Sequence, residues 1–250
     1  MSSLVLCEEK EGLATLTLNR PEKLNALTVE LFAELRAHID RIATDIEKIG
    51  LVVICGAGKC FSAGNDLGAI AKGDRPARPN FQSETIERIA NLPQPVISAV
   101  HGHCYTGALE LALAGDLIFA AESARFADTH GRWALTPIWG MSQRLPRRVG
   151  SAKAREMMFT SRTYTGAEAL AMGLANFCVP DEVFAKEVRS LADTILANSW
   201  FSHRSNKKLL NDTEGLPLDA GLAHEFYRNP GVGPDMRERI AAFANKTRKA

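Results

Sequence analysis

The segment His101-Gly-His-Cys-Tyr-Thr-Gly-Ala-Leu-Glu110 and the earlier segment Phe61-Ser-Ala-Gly-Asn-Asp-Leu67 decide the fold class of this chain. Each follows an apolar, β-rich run and leads into a stretch typical of a helix. A loop of small residues between strand and helix leaves backbone N–H groups unpaired, with the positive end of the helix dipole behind them. Two such loops that meet would form a pocket for an oxygen that develops negative charge. Glu110 would place a carboxylate beside that pocket, which suits chemistry on a polarised carbonyl.

The flanking sequence predicts alternating strands and helices. Alternating runs at 4–6 and 13–18 predict a hairpin, and continuous apolar runs at 51–54 and 95–100 predict strands buried on both faces. Predicted N-caps are Thr28, Asp66, Ser151 and Thr165, the last in a capping box with Glu168. Residues 68–80 are rich in Gly, Pro, Ala and charge, and predict a mobile loop. The order strand, strand, helix therefore predicts an α/β fold.

The C-terminal part of the chain has a different pattern. From Ser151 onward the sequence is mostly helical, and a boundary near Ala197 separates a predicted core at 1–197 from a helical region at 198–250. Helices with apolar faces at a chain end often pack on a neighbouring subunit. We therefore expect the C-terminal region to take part in self-association.

Composition excludes several classes of protein. Of the 250 residues 46% are hydrophobic and 24% charged, and the formal net charge is +1. Proteins that bind nucleic acid or acidic membranes usually carry a basic excess, so we expect neither partner. Five cysteines without a CxxC pair predict free thiols in a reducing compartment. The sequence also has no secretory or transit signal and no apolar run near the roughly 20 residues of a membrane span, which predicts a cytoplasmic protein.

Five segments, taken in order and with their spacing, resemble the crotonase family, the enoyl-CoA hydratase/isomerase superfamily. They are Asn-Arg-Pro-Glu-Lys-Leu-Asn-Ala-Leu at 19–27, the loop at 61–67, Pro-Val-Ile-Ser-Ala-Val-His-Gly at 95–102, Phe-Ala-Asp at 126–128 and Gln-Arg-Leu-Pro-Arg-Arg-Val-Gly at 143–150. The resemblance covers nearly the whole chain. It implies a crotonase-like spiral of repeated ββα units, with a C-terminal helical trimerisation region that supports a homotrimer or a hexamer formed as a dimer of trimers.

The resemblance also implies a substrate and a site. The substrate is an acyl-CoA thioester, and coenzyme A enters only as part of it, with no tightly bound cofactor. Carried over by position, the oxyanion hole is the backbone N–H of Asn65 and of Gly107, and Glu110 falls on one of two catalytic glutamates. The implied contacts with the CoA thioester are Lys23, Leu24, Ala26, Ala63, Gly64, Asn65, Asp66, Leu67, Tyr105, Gly107 and Trp139.

Two positions depart from the hydratase pattern. His130 stands where the hydratases carry their second glutamate. Hydration needs one group that acts on water and one that delivers a proton to the α-carbon, so either His130 or a water would take the second role. A reaction that only moves a double bond needs Glu110 alone. Ile138 and Trp139 replace small residues of many relatives and would narrow the acyl pocket.

Several functions therefore remain open at this point. An enoyl-CoA hydratase comes first and a Δ3,Δ2-enoyl-CoA isomerase second. RNA binding, attributed to one branch of the family, would need a lysine-rich helix, whereas residues 30–48 mix acidic and basic side chains. A non-catalytic scaffold is disfavoured by the retention of Glu110 and both loops. His101 and His103 form an HxH pair without a third ligand, so no metal site is predicted.

Overall fold

The structure of the protein is a computed structural model, and it describes residues 3–76 and 78–247. In these ranges the strands are β1 (Val5–Lys10), β2 (Leu13–Leu18), β3 (Leu51–Gly56), β4 (Val96–Val100), β5 (His103–Tyr105), β6 (Leu117–Ala121), β7 (Arg125–Ala127), β8 (Tyr164–Thr165) and β9 (Phe177–Val179). The helices are α1 (Val29–Thr44), α2 (Leu67–Lys72), α3 (Phe81–Ala90), α4 (Gly107–Ala112), α5 (Met141–Val149), α6 (Ser151–Thr160), α7 (Gly166–Ala171), α8 (Asp181–Leu196), α9 (Trp200–Thr213), α10 (Leu218–Arg228) and α11 (Met236–Thr247). The α/β prediction is confirmed.

The larger sheet brings the two special loops to one place. Its strand order is β1-β2-β3-β4-β6-β9, with β1 and β2 forming the predicted antiparallel hairpin and all later neighbours parallel. The apolar side chains of β3 and β4 are buried, as the continuous runs predicted. Because β3 and β4 are parallel neighbours, their carboxyl ends lie at the same edge of the sheet. The loops that follow them therefore start side by side.

A smaller sheet of β5, β7 and β8 and the helix α1 complete the surroundings of the site. The Thr28 side chain accepts a hydrogen bond from the Leu31 amide, so the predicted cap is confirmed. The helix buries side chains at helical spacing, namely Leu31, Leu35, Ile39 and Ile42. Full burial of such a side chain contributes about 2 kcal/mol, so this stripe holds α1 firmly on the core.

Two local predictions need correction. Residues 68–80 are not a loop throughout, because α2 occupies Leu67–Lys72. Its start is stabilised by the Asp66 carboxylate, which accepts from the amides of Gly68 and Ala69, and its end is a left-handed Gly73. Ser151 is not an N-cap: it is the first residue of α6, after Gly150. The capping box of Thr165 and Glu168 is confirmed.

The predicted boundary near residue 197 falls between α8 and α9. Helix α9 nevertheless binds the core, because Lys207 lies buried with its Nζ 2.7 Å from an Asp116 carboxylate oxygen and 3.1 Å from the Gln94 carbonyl. Trp200 lies flat against the backbone of Gly12 and Gly50, where a Cβ would come within 2.6 Å of its ring. The helices α10 and α11 instead leave large apolar side chains exposed. No helix in the described ranges is both long and apolar enough to cross a membrane.

Candidate active site

The loop after β3 and the turn between β5 and α4 touch through their glycines. Gly64 has φ of 100°, and a Cβ there would lie 2.6 Å from the Tyr105 carbonyl oxygen and 3.7 Å from the Gly107 nitrogen. A Cβ on Gly107 would lie 3.5 Å from the Asn65 nitrogen. The amide nitrogens of Asn65 and Gly107 therefore border the same small volume, which any side chain at either glycine would reduce.

Neither of these amides has a hydrogen-bond partner in the part of the chain that the structure describes. The neighbouring backbone groups are engaged, since Leu27 N donates to Gly64 O at 2.9 Å and Asp66 N donates to Leu27 O at 3.0 Å. In residues 3–76 and 78–247, neither Asn65 N nor Gly107 N donates to a protein acceptor. Unsatisfied backbone donors are uncommon unless they face solvent or a ligand, and both residues line the same pocket.

Thr106 sets the direction of the Gly107 amide. Its backbone has φ of 53° and ψ of −109°, a conformation that a β-branched residue adopts only under constraint. The constraint comes from β7 and the loop behind it. Thr106 N donates to Ala127 O at 2.8 Å, while its hydroxyl bonds the hydroxyl of Thr129 and accepts from the Thr129 amide at 3.1 Å. The strained turn is thus held from two sides, directly before the free amide.

Glu110 is a buried carboxylate, 2% exposed, on the first turn of α4. One of its oxygens, Oε1, accepts from the amides of Trp139 at 2.9 Å and Met141 at 3.1 Å, which fixes the side chain. Burial raises the pKa of Glu110 above its ordinary 4.5, although these two amides and His130 oppose the rise. The other oxygen, Oε2, is left to face His130. A carboxylate of this kind is a candidate general base.

His130 is the second titratable group of the pocket wall. Its Nε2 lies 3.8 Å from Glu110 Oε2. This distance is too long for a direct hydrogen bond, but one water could bond both atoms. Its Nδ1 lies 2.6 Å from Asp128 Oδ1, and its backbone amide donates to the same oxygen at 3.1 Å. The imidazole is therefore held between two buried carboxylates.

The pocket itself has a volume of about 240 Å³ and is mostly apolar. Seven predicted residues line it, namely Ala63, Asn65, Leu67, Gly107, Glu110, His130 and Trp139. The Trp139 ring packs on Phe32 with a centroid distance of 5.0 Å, and a Cβ at Gly107 would lie 2.6 Å from that ring. Trp139 thus forms a fixed wall directly beside the Gly107 amide, which agrees with the expected narrowing.

The remaining predicted contacts have different positions. The chain through Lys23, Leu24 and Ala26 runs alongside the first loop, since Ala63 N donates to Leu24 O at 2.9 Å. Asp66 caps α2 and is paired with Arg20 at 3.3 Å. Tyr105 is not a wall of the pocket: its ring packs on His103 with centroids 4.8 Å apart, and only its carbonyl approaches Gly64.

Some functional residues were missed by the sequence reasoning. Six further residues line the pocket and were not predicted there, namely Ile70, Thr106, Thr129, Trp133, Leu135 and Thr136. Ile138, which was expected to narrow the pocket, lines it as well. Asp128 was quoted only as part of a motif, although it bonds His130. The signal for Asp128 was its spacing of two residues from a histidine, whereas the conformation of Thr106 has no sequence signature.

A larger cavity of about 480 Å³ lies on the opposite face of the sheet, between β2, β3, β4 and α8. None of the predicted site residues lines it. The amides of Asn65 and Gly107 and the side chains of Glu110 and His130 all belong to residues that line the smaller pocket, which makes it the candidate site.

Comparison with known proteins gives consistent matches over almost the full length. A sequence profile for the family described as "Enoyl-CoA hydratase/isomerase" matches residues 8–249. A "Probable enoyl-CoA hydratase 1, peroxisomal" of Arabidopsis thaliana is 35% identical over 88% of this chain and 85% of its own length. A "1,2-epoxyphenylacetyl-CoA isomerase" of Escherichia coli K12 is 32% identical over 98% and 97%. A crystal structure of enoyl-CoA hydratase from Bacillus anthracis superposes with a TM-score of 0.90 at 31% identity, covering 97% of this chain and 96% of that one.

Proposed function

The chain belongs to the enoyl-CoA hydratase/isomerase family, and from that premise we propose that it adds water to a 2-enoyl-CoA thioester. One observation carries the proposal: two unengaged amides, a buried carboxylate and an imidazole line a single pocket. The family includes both hydratases and isomerases that act on acyl-CoA thioesters. The geometry supports hydration best, because it supplies two separate groups for two proton transfers.

The amides would stabilise the intermediate. As water attacks the β-carbon, the electron pair of the double bond moves through the α-carbon onto the thioester oxygen. The N–H groups of Asn65 and Gly107 would donate to that oxygen, and each preorganised donor of this type is worth about 3 kcal/mol in the transition state. Because neither amide has a protein partner to give up, this stabilisation requires no rearrangement.

Glu110 and His130 would divide the proton transfers. Glu110 takes a proton from the attacking water, whose oxygen bonds to the β-carbon. His130, as imidazolium, donates its Nε2 proton to the α-carbon when the enolate collapses, and the N–H electron pair remains on the ring. The proton on Glu110 would then pass to His130 through a water that bonds both Oε2 and Nε2, which lie 3.8 Å apart. The net change is the addition of one water to the double bond.

The pocket and its approach also support the proposed substrate class. Apolar side chains at the rim, among them Leu67, Ile70 and Ile138, suit the hydrocarbon part of an acyl group. The segments with Lys23, Leu24, Ala26 and residues 63–67 would hold the adenine and pantetheine parts. The proposed steps move only protons and one water, so we propose that the enzyme needs no bound cofactor. A chelator should then leave turnover unchanged.

A second reaction is favoured by a specific observation. Glu110 is the carboxylate that lines the pocket, and moving a double bond between the β,γ and α,β positions needs a single group that carries a proton. An isomerase is also among the relatives. The second candidate is therefore a Δ3,Δ2-enoyl-CoA isomerase.

The experiment that separates the two compares crotonyl-CoA with a 3-enoyl-CoA. Hydration of the first lowers the ultraviolet absorbance of the conjugated thioester, whereas isomerisation of the second raises it. We expect His130→Ala to lower hydration at least about 100-fold and to retain isomerisation by Glu110. His38→Ala, on α1 and away from the pocket, is the matched control and should be active in both assays. Equal loss of both reactions in His130→Ala would contradict the division of roles.

RNA binding is a weak non-enzymatic alternative. On α1, Arg36 is paired with Asp40, and Arg41 is paired with Glu9, so the cations of this helix are largely neutralised by neighbouring carboxylates. Binding to phosphates depends on unneutralised cations and falls with salt. Salt-dependent retention of the protein on RNA would favour this alternative over the enzyme.

We further propose a homotrimer, or a hexamer built from two trimers, formed through the C-terminal helices. Large apolar side chains of α10 and α11 are exposed in the single chain, including Leu222, Phe226 and Tyr227. Exposed apolar side chains that cluster on a surface often mark a protein–protein interface. The five cysteines are free, which suits a reducing compartment, and we propose the cytoplasm as the location.

A further inference from the structure

Asp128 is a buried carboxylate whose hydrogen bonds serve one residue. It is 1% exposed, and in the described residues both of its hydrogen bonds go to His130, at 2.6 Å from Nδ1 and 3.1 Å from the backbone nitrogen. It caps no helix and forms no ion pair with Lys or Arg there. Burying a carboxylate is costly unless its partners compensate for lost hydration. The two hydrogen bonds from His130 therefore offset the free-energy cost of burying the Asp128 carboxylate.

The bond to Asp128 decides which nitrogen of His130 carries the proton. An ionised carboxylate can only accept, so Nδ1 must donate to it. In the neutral ring Nε2 then has a free electron pair, and this nitrogen lies 3.8 Å from Glu110 Oε2 in the wall of the pocket. Asp128 and Glu110 are the carboxylates that lie within 4 Å of a ring nitrogen of His130 in the described residues. The three side chains form one chain of groups, Asp128, His130 and Glu110.

From this arrangement we propose that Asp128 is a positioning residue, which fixes His130 in the Nδ1–H form and stabilises its imidazolium. The catalytic part of this inference rests on the proposed function, whereas the tautomer does not. After His130 has donated its Nε2 proton to the α-carbon, the ring is neutral with its proton on Nδ1. The empty Nε2 can then recover a proton from Glu110. A neutral ring with its proton on Nε2 instead could not accept the proton from Glu110 at that nitrogen. Glu110 would then stay protonated and could not act as the base for the next water.

The first test is the tautomer itself, which needs no substrate. In protein labelled with ¹⁵N-histidine, the His130 resonances are identified by their loss in His130→Gln, and the ¹⁵N shifts report which nitrogen is protonated. We expect the Nδ1–H form in the neutral wild-type ring. Asp128→Asn can donate its amide N–H to Nδ1, so the Nε2–H form should replace it. A wild-type ring with its proton on Nε2 would overturn the proposal, whether or not the variant folds.

The second test is kinetic. With a CoA thioester that turns over, Asp128→Asn should lower kcat by about 100-fold while KM changes less than about twofold, as for loss of a group that orients a catalytic histidine. Asp181→Asn is the control: Asp181 likewise accepts from the amide and hydroxyl of one residue, Ser123, but outside the pocket.

The outcomes separate the two proposals. An unchanged kcat together with the expected tautomer switch would contradict the catalytic part of the Asp128 proposal. If no enoyl-CoA is turned over by the wild type but the Nδ1–H form is present, the proposed function fails and the positioning by Asp128 stands. A fall in kcat of the same size in Asp181→Asn would show that the effect is not specific to the pocket.

Discussion

Glu110 combines a costly position with a chemically useful one. Burial raises the pKa of its carboxyl above the ordinary 4.5, so the folded protein binds this proton more tightly than the unfolded chain does. The resulting stabilisation is complete below pH 4.5 and is lost as the pH rises through the raised pKa of Glu110. At neutral pH the ionised group therefore lowers the free energy of unfolding. The same charge is what a general base requires, so stability is given up at this residue for reactivity.

The first prediction concerns Glu110→Gln. Gln keeps an oxygen that can accept from the amides of Trp139 and Met141 but cannot take a proton from water. We expect turnover of enoyl-CoA to fall at least about 100-fold while a thioester still binds. Absorbance assays and equilibrium binding measure the two quantities. Unchanged turnover would refute the role of Glu110.

The pH dependence gives a second prediction for the same residue. In the wild type, the acid limb of kcat/KM should lie above pH 4.5, because Glu110 must be ionised to act. Glu110→Gln should have a higher free energy of unfolding than wild type at neutral pH, and this advantage should disappear below pH 4.5. Urea titrations at several pH values measure it. A variant that is less stable at neutral pH would contradict the assigned cost of the charge.

Gly107→Ala tests the oxyanion volume. The new Cβ would lie 2.6 Å from the Trp139 ring and 3.5 Å from the Asn65 nitrogen, so it would displace the ring and occupy space beside the two amides. We expect kcat/KM to fall by about 10² to 10³, with a folding cost of about 1–3 kcal/mol. Gly131→Ala is the matched control, since a Cβ there meets neighbours only at 3.7 Å. Full activity of Gly107→Ala would argue against the site.

At the scale of elements, the sequence predicted best where burial leaves a pattern. Strands β3 and β4 were predicted because a strand buried on both faces must be apolar at every position. The helix α2 was predicted only in part: a helix after the first loop and its cap Asp66 were expected, but the Gly- and Ala-rich residues that α2 contains were assigned to a loop at 68–80. Of the site, the two loops and Glu110 could be predicted from motif and spacing. For the pairing of Asp128 with His130 the spacing of two residues was the only signal, and the bond itself depends on how the chain turns after β7.

The attachment of α9 gives a prediction at this scale. Asp116→Asn retains an oxygen for the Val96 amide but removes the charge beside the buried Lys207 ammonium. Leaving a buried charge unpaired should lower the free energy of unfolding by about 3 kcal/mol, measured by urea unfolding. The double variant Asp116→Asn/Lys207→Met should recover part of that loss, because it removes the unpaired charge as well. An unaltered Asp116→Asn midpoint would show that the pair does not hold the helix.

The whole molecule has two kinds of surface. The core contains the pocket, whereas α10 and α11 expose apolar side chains that a single chain does not cover. The boundary predicted near residue 197 lies before α9, yet α9 still packs on the core through Lys207 and Trp200. Sequence patterning predicted that these last helices were amphipathic, but which of them face the core depends on contacts from distant segments.

The assembly prediction compares two exposed phenylalanines. Phe226 on α10 is 79% exposed and Phe159 on α6 is 80% exposed. We expect wild type to sediment as a trimer or hexamer and Phe226→Asp to shift it toward monomer, because a charge in a buried interface is costly. Phe159→Asp, outside the C-terminal helices, should sediment as wild type. A monomeric wild type at micromolar concentration would contradict the assembly.

The distribution of tryptophans has a practical consequence. Of the chain's three tryptophans, Trp133 and Trp139 line the pocket, the first half exposed and the second buried. Trp200 is the first residue of α9 and packs against Gly12 and Gly50. Emission from the first two should respond when a ligand enters, and emission from the third when the last helices detach. Single-tryptophan versions of this protein would therefore read occupancy and C-terminal docking as separate optical signals, without any turnover.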